Sequence, residues 1–271
     1  MTSTGLNDVV DFINLSRDRH VEELKAFLAI PSISALAEHA ADLRRCADWI
    51  AGEMRRIGLH NVTLIETPGN PVVYADSLDA PDAPTILFYG HYDVQPVDPL
   101  DQWTSPPFEA TVRDGEIYAR GAADDKGQIF MHFKAIEAYM QKQGRLPVNI
   151  KFMLEGEEEI GSSHLDEFVR SHRRELAADV VVISDSPMLE RGIPSICYGL
   201  RGMVYCQIDL RGSKTDLHSG SFGGAVANPA FVLAQVLAVE GRHPNPGQPR
   251  RITTVFATLE AEAKRLEAEA A

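Results

Sequence analysis

Apolar residues recur at helical spacing through the first sixty positions. Residues 8–29 carry Val21, Leu24, Phe27 and Leu28 on one face, and residues 39–57 carry Leu43, Ala47, Ile50 and Met54. Pro31 and Gly58 stand where helix ends fall, so the pattern predicts two opening helices. The period then shortens. Val62–Ile65 and Val72–Tyr74 read as short strands, and Thr85–Tyr89 as a buried one after the Pro-rich stretch Ala80–Pro84. Thr111–Tyr118 holds Asp114-Gly115 between alternating residues, the signature of a hairpin. Helical spacing returns at Gln128–Met140 through Ile129, Phe133, Ile136 and Met140, and a strand over 148–154, a helix near 163–172 and a strand over 180–184 follow.

Alternating strands and helices of this kind favour an α/β fold: a mostly parallel mixed sheet flanked by helices. The pattern changes after Ile196-Cys197-Tyr198-Gly199. A long strand over Gly202–Leu210, a Gly/Ser-rich loop over 212–224 and an apolar helix from Pro229 to Val239 are expected to form a partial α+β domain. The domain boundary is placed at 198/199, giving 1–198 and 199–271. Ala257–Ala271 has high helix propensity and a Glu260/Lys264 pair, and reads as a surface helix.

Composition narrows the function classes. No apolar run approaches the ~18 residues of a membrane span, and Met1–Asp8 lacks the basic and apolar regions of a secretory signal, so a cytoplasmic location is expected. Cys46, Cys197 and Cys206 contain no C-x-x-C pair, which argues against both a disulfide framework and a thiolate metal site. A formal charge of −13 with no Lys/Arg stripe disfavours nucleic-acid binding.

The chemistry sits at strand ends. Leu154-Glu155-Gly156-Glu157-Glu158-Glu159-Ile160-Gly161-Ser162 places consecutive carboxylates directly after a buried strand, where ligand sites of open α/β sheets form. His91-Tyr92-Asp93 after Thr85–Gly90 and Asp185 after Val180–Ser184 occupy junctions of the same kind, and together they suggest a metal site. His91 and Asp93 can point into one cleft, with a carboxylate fixing the imidazole tautomer. Asp124-Asp125 precedes a helix; N-capping accounts for one of the pair, while a two-oxygen carboxylate can bridge cations about 3.5–4 Å apart. Spacing does not say which aspartate bridges. One glutamate of the cluster can hold metal while its neighbour accepts a proton from the attacking water. Asp185 alone would pass for a turn residue, and His218 for a loop histidine. The Pro- and Asp-rich loop Val94–Pro107, which holds Trp103, is long enough to line a cleft.

Gly90–Pro96, Gly121–Gly127, Glu155–Ser162, Ser184-Asp185 and Leu217–Gly220 resemble, in order and spacing, the aminoacylase/carnosine-dipeptidase family of di-zinc metallopeptidases. The likeness runs over residues 8–255. It implies that His91, Asp124 and Asp185 hold one divalent ion and Asp124 and Glu159 another, with Asp124 bridging. It implies Glu158 as general base, Asp93 as the orienter of His91, and His218 in a lid domain as an oxyanion stabiliser, in some members across a homodimer interface. Zinc is the first expectation; manganese and cobalt suit the same ligands.

The implied activity is hydrolysis of the amide of dipeptides or similar small amides by attack of metal-bound hydroxide. Likeness around Asp101-Gln102-Trp103 and Pro106-Pro107-Phe108 favours the dipeptidase branch over an N-acyl amino acid deacylase. Related enzymes continue past the lid into a C-terminal segment that supplies the last metal-liganding histidine. That segment has no counterpart in this sequence. The second metal site is therefore expected to be one ligand short, and a non-catalytic association module is the alternative reading.

Overall fold

The computed structural model of the chain describes residues 3–193, 195–200, 202 and 207–241. It divides into two compact units, Met1–Tyr198 and Gly199–Ala271. The first opens with α1 (Ser3–Leu15), α2 (Arg17–Leu28) and α3 (Ala40–Arg56), followed by β1 (His60–Ile65), β2 (Val72–Ser77) and β3 (Thr85–His91). A small hairpin, β4 (Thr111–Arg113) and β5 (Glu116–Tyr118), precedes α4 (Lys126–Gln143). The unit closes with β6 (Asn149–Glu155), α5 (Leu165–Ser171) and β7 (Val180–Ile183).

The five-stranded sheet has the order β1-β2-β6-β3-β7. It is mixed, as the sequence predicts: β1/β2 and β2/β6 are antiparallel, whereas β3 runs parallel to both β6 and β7. Side chains alternate across it. Phe152 and Leu154 join Ile50, Met54, Val73, Ala75 and Phe133 in the core under α3 and α4, while Met153 points the other way with Val72, Leu87, Phe168 and Leu176. Burial of both faces is why the 148–154 run is almost continuously apolar. In the hairpin turn, Asp114 and Gly115 both adopt positive φ (51° and 79°), the backbone that an Asp-Gly pair accommodates in a two-residue loop.

Parallel register sets the functional edge. Gly90 pairs with Leu154 and His91 with Glu155, so β3 and β6 end level and their following loops emerge side by side. Tyr89 pairs with Ile183, which brings Asp185 to the same edge from β7.

Two expectations need correction. The first helical stretch is two helices, interrupted at Ser16 (φ −94°, ψ 4°). Main-chain bonds from Ser16 to Phe12 and from His20 to Ser16 run through the interruption, so the apolar period passes it almost unchanged. The long strand expected over 202–210 is not formed at 207–210, where the Gln207 side-chain amide donates to the Asp209 carboxylate. Residues 203–206 and the helix expected at 257–271 lie outside the described residues. The second unit contains α6 (Ser219–Phe222), a single turn inside the expected loop, and α7 (Pro229–Gly241), the expected apolar helix.

Candidate metal centre

His91 ends β3 with its side chain completely buried, and both ring nitrogens face acids. Nδ1 lies 3.1 Å from the Asp93 carbonyl oxygen and 3.3 Å from Asp93 Oδ1; Nε2 lies 3.0 Å from Asp124 Oδ1 and 3.7 Å from Asp185 Oδ2. Burial alone would lower the pKa of this imidazole. The hydrogen bond and charge of Asp93, joined by the charges of Asp125 and Glu158, overturn that and push it up to about 10. A cation taking the Nε2 side must displace that proton.

Asp93, buried beside His91, reaches the acidic loop as well. Its Oδ1 accepts the Glu158 N–H at 3.2 Å and its Oδ2 the Glu159 N–H at 3.1 Å. Those two residues open a single 3₁₀ turn, Glu158–Ile160, which Gly161 closes at φ +92°. A left-handed residue stops the turn there, and glycine adopts that backbone without a Cβ penalty. The turn is constrained from both sides, with Asp93 satisfying its free N–H groups.

Three supporting residues escaped the sequence reading. Gln95 donates from Nε2 to Glu159 Oε2 at 2.7 Å, fixing that carboxylate. Tyr89 and Ser162 both donate to Glu155 Oε1, at 2.5 and 2.9 Å, tying the far end of the acidic loop to β3. Gln95 lies two residues beyond Asp93 and Tyr89 two before His91; only the strand-end geometry gives that spacing meaning.

Asp124 and Asp125 divide their tasks differently from the N-cap expectation. Asp125 stands at the N-cap of α4 but makes no side-chain capping bond; its Oδ2 accepts the His91 main-chain N–H at 3.2 Å. Asp124 carries the exposed carboxylate facing the His91 ring. The expected site residues of the first unit, His91, Asp93, Asp124, Glu158, Glu159 and Asp185, therefore gather at one sheet edge. His218 belongs to the second unit, where it is exposed at the N-cap of α6 and accepts the Gly220 N–H on Nδ1 at 3.1 Å.

This donor set fits a divalent cation. Ligand atoms of His91, Asp124 and Glu159 all lie within 4.8 Å of one another, an imidazole with two carboxylates. Electrostatics point the same way. Burial is the first cause raising the pKa of Glu158, Glu159 and Asp185, and neighbouring acids add to it in each case. Burial likewise raises Asp125 to about 7. Crowded carboxylates of this kind gain most from a bound positive charge.

Loop 94–107 shapes the approach. Trp103 Nε1 donates to the Val97 carbonyl at 2.9 Å, and Arg120 lies over the indole at 5.2 Å. Trp103, Pro99, Tyr118 and Arg113 line a cavity of about 560 Å³ whose wall includes Ala122 and Ala123, immediately before Asp124.

A mixed α/β sheet with an imidazole-carboxylate cluster beyond its parallel strand ends has the build of a metallopeptidase catalytic domain. Family comparison agrees: residues 87–265 match Peptidase family M20/M25/M40, and the chain belongs to that family. Among curated relatives, human Beta-Ala-His dipeptidase is 34% identical over 86% of this chain and 48% of its own length. The Cys-Gly metallodipeptidase dug1 of Schizosaccharomyces pombe is 35% identical over 86% of this chain and 52% of its own. The crystal structure of human carnosine dipeptidase 1 superposes with a TM-score of 0.72 at 32% identity, covering 92% of this chain and 57% of that one. The chain spans about half the length of the curated relatives it matches.

Proposed function

We propose that the chain is the catalytic portion of a metal-dependent dipeptidase, with residues 1–198 as the metal-binding domain and 199–271 as part of a lid that can pair with a second copy. The observation that carries this reading is the convergence of His91, Asp124 and Glu159 at the edge where β3 and β6 end level. His91, Asp124 and Asp185 would hold one ion and Asp124 and Glu159 the other, zinc being the first choice. Bound divalent cations would lower the pKa of a coordinated water toward about 7 and polarise the scissile carbonyl.

The chain's own groups supply the rest. Glu158, half-buried and with its pKa raised, accepts the proton of the attacking water and passes it to the leaving amine. Asp93 fixes the ring of His91 and the Glu158–Glu159 turn with one carboxylate. Gln95 holds Glu159 in place. On the second unit, the Gly220 bond occupies Nδ1 of His218, so in its neutral form the ring carries its proton on Nε2, free to donate to a developing oxyanion. The cavity beside Trp103 and Tyr118 supports a small substrate with an apolar side chain.

The test is hydrolysis of a mixed dipeptide panel by the 271-residue chain with added Zn²⁺ or Mn²⁺, beside Glu158→Gln. Metal-dependent turnover that vanishes in the variant supports the reading. A folded chain that turns over no dipeptide with either metal overturns it for this polypeptide, and cleavage of N-acyl amino acids alone would move it to the deacylase branch.

A further inference from the structure

Asp125 is 1% exposed, yet its carboxylate has few partners. Oδ2 accepts only the His91 main-chain N–H, at 3.2 Å, and Oδ1 has no hydrogen-bond partner. No Lys or Arg side chain is paired with it among the described residues. Lys126, next in the chain, donates instead to the carbonyls of Phe27 and Ile30. The charged side chains that act on Asp125 are His91, Asp185 and Asp124, all members of the cluster described above. A carboxylate taken out of water is strongly disfavoured unless opposite charge or a full set of donors meets it.

The surrounding chain keeps room for this group. A Cβ on Gly90 would stand 2.5 Å from Asp125 Oδ2 and 3.1 Å from Ile129, so only glycine lets the carboxylate lie against the end of β3. Helix capping does not explain it, because the side chain makes no capping bond.

We propose that Asp125 is a positioning residue of the metal centre: it braces the His91 end of β3, and its buried negative charge is balanced by cations bound at His91, Asp124 and Glu159. The inference rests on the metal-centre reading above. It assigns a purpose to the second aspartate of Asp124-Asp125, which contributes charge and placement without being a ligand.

Asp125→Asn separates this role from a purely structural one, since asparagine keeps the shape and an acceptor for the His91 N–H but deletes the charge. The experiment is a chelator-competition titration of the 271-residue chain and the variant with Zn²⁺, together with thermal unfolding in EDTA. Loss of the charge is expected to weaken Zn²⁺ binding by about tenfold or more, while the metal-free chain unfolds at the same temperature or higher. A lower melting temperature in EDTA with unchanged Zn²⁺ affinity would overturn the proposal and leave a structural brace. Should Asp125→Asn fail to fold, Gly90→Ala decides: it retains the charge but drives the carboxylate off the His91 N–H, and Zn²⁺ binding should weaken severalfold. Unchanged affinity there also overturns the proposal. A wild-type chain that binds no divalent ion sinks the metal centre and this inference together; binding that Asp125→Asn leaves intact sinks the inference alone.

Discussion

The Asp93 carboxylate accepts the Glu159 main-chain N–H at 3.1 Å through Oδ2. Its other oxygen lies 3.3 Å from His91 Nδ1 and accepts the Glu158 N–H at 3.2 Å. One side chain from the β3 loop therefore fixes both a candidate ligand ring and the turn that presents a candidate ligand and the candidate base. Asp93→Asn would place an amide NH₂ against a donor on one side or the other. Metal affinity should drop about 10–100-fold, with a matching loss of kcat, as read by metal titration and steady-state kinetics. An unaffected dissociation constant would show that Asp93 does not hold the cluster.

Glu158 differs from Glu159 in what it lacks. Gln95 fixes Glu159, whereas no side-chain bond to the Glu158 carboxylate occurs among the described residues, which leaves it free to take and return a proton. Glu158→Gln should bind metal as the parent does and lose about 10²–10⁴-fold in kcat. Glu159→Gln should weaken metal binding first. If Glu158→Gln instead loses the ion and Glu159→Gln retains it, the two roles are reversed.

Acid should destabilise the chain in two successive windows. His132, packed on Phe88 and bonded to Ser184, is held neutral by burial, its pKa falling from 6.5 to about 4. The unfolded chain binds that proton first, so the contribution is complete above 6.5 and disappears as pH falls toward 4. Glu137 is pulled down to about 2 despite burial, because Arg56 bonds to it and Lys134 and Arg56 surround it with positive charge. Its contribution is complete above 4.5 and is lost between 4.5 and 2. Urea unfolding in EDTA should show a shallower slope from pH 6.5 to 4 in His132→Gln, and from 4.5 to 2 in Glu137→Gln. The second variant should also lose about 1.5–3 kcal/mol at neutral pH, because the charge-assisted bonds from Arg56 and Lys134 to this carboxylate weaken while Lys134 keeps Glu23 and Glu53 as partners. Unchanged slopes would remove these residues from the acid transition.

Much of the metal centre is legible in the sequence because acids placed directly beyond apolar strands interrupt a simple pattern. His91, Asp93, Asp185 and the Glu155–Glu159 run all lie at such junctions. What the pattern does not contain is register. The level ending of β3 and β6, which sets His91 opposite Glu155, depends on pairing across more than sixty residues. Gln95 and Tyr89 acquire their partners only through that pairing. The Ser16 interruption escapes for the opposite reason: it scarcely disturbs the local period. Asp125 sits in a plain N-cap position, and only the tertiary approach of His91 turns its side chain away from the helix.

Lys126 supplies the last expectation, because it is completely buried and pairs with no carboxylate among the described residues. Nζ donates to the Ile30 carbonyl at 2.7 Å and the Phe27 carbonyl at 3.4 Å, at the C-terminal end of α2, and sits 5.1 Å from the Phe27 ring centre. A cation suits that end of a helix, where unsatisfied carbonyls concentrate negative potential. Ser32, two residues further on, donates to the Tyr92 carbonyl at 2.6 Å, and Val94 donates back to the Ser32 carbonyl at 2.9 Å. The segment after α2 is thereby bonded to the start of α4, next to Asp124, and to the loop between His91 and Asp93. Lys126→Met removes the desolvated charge and both Nζ bonds, while the Ile30 carbonyl keeps the Ser32 N–H at 2.9 Å and the Phe27 carbonyl the Ile30 N–H at 3.3 Å, a net loss of about 1 kcal/mol. Because the same segment braces both ligand-bearing loops, metal affinity should fall with stability, whereas Lys142→Met on the distal end of α4 should change neither. Equal effects of the two substitutions on zinc titration and thermal unfolding would show that this segment does not support the centre.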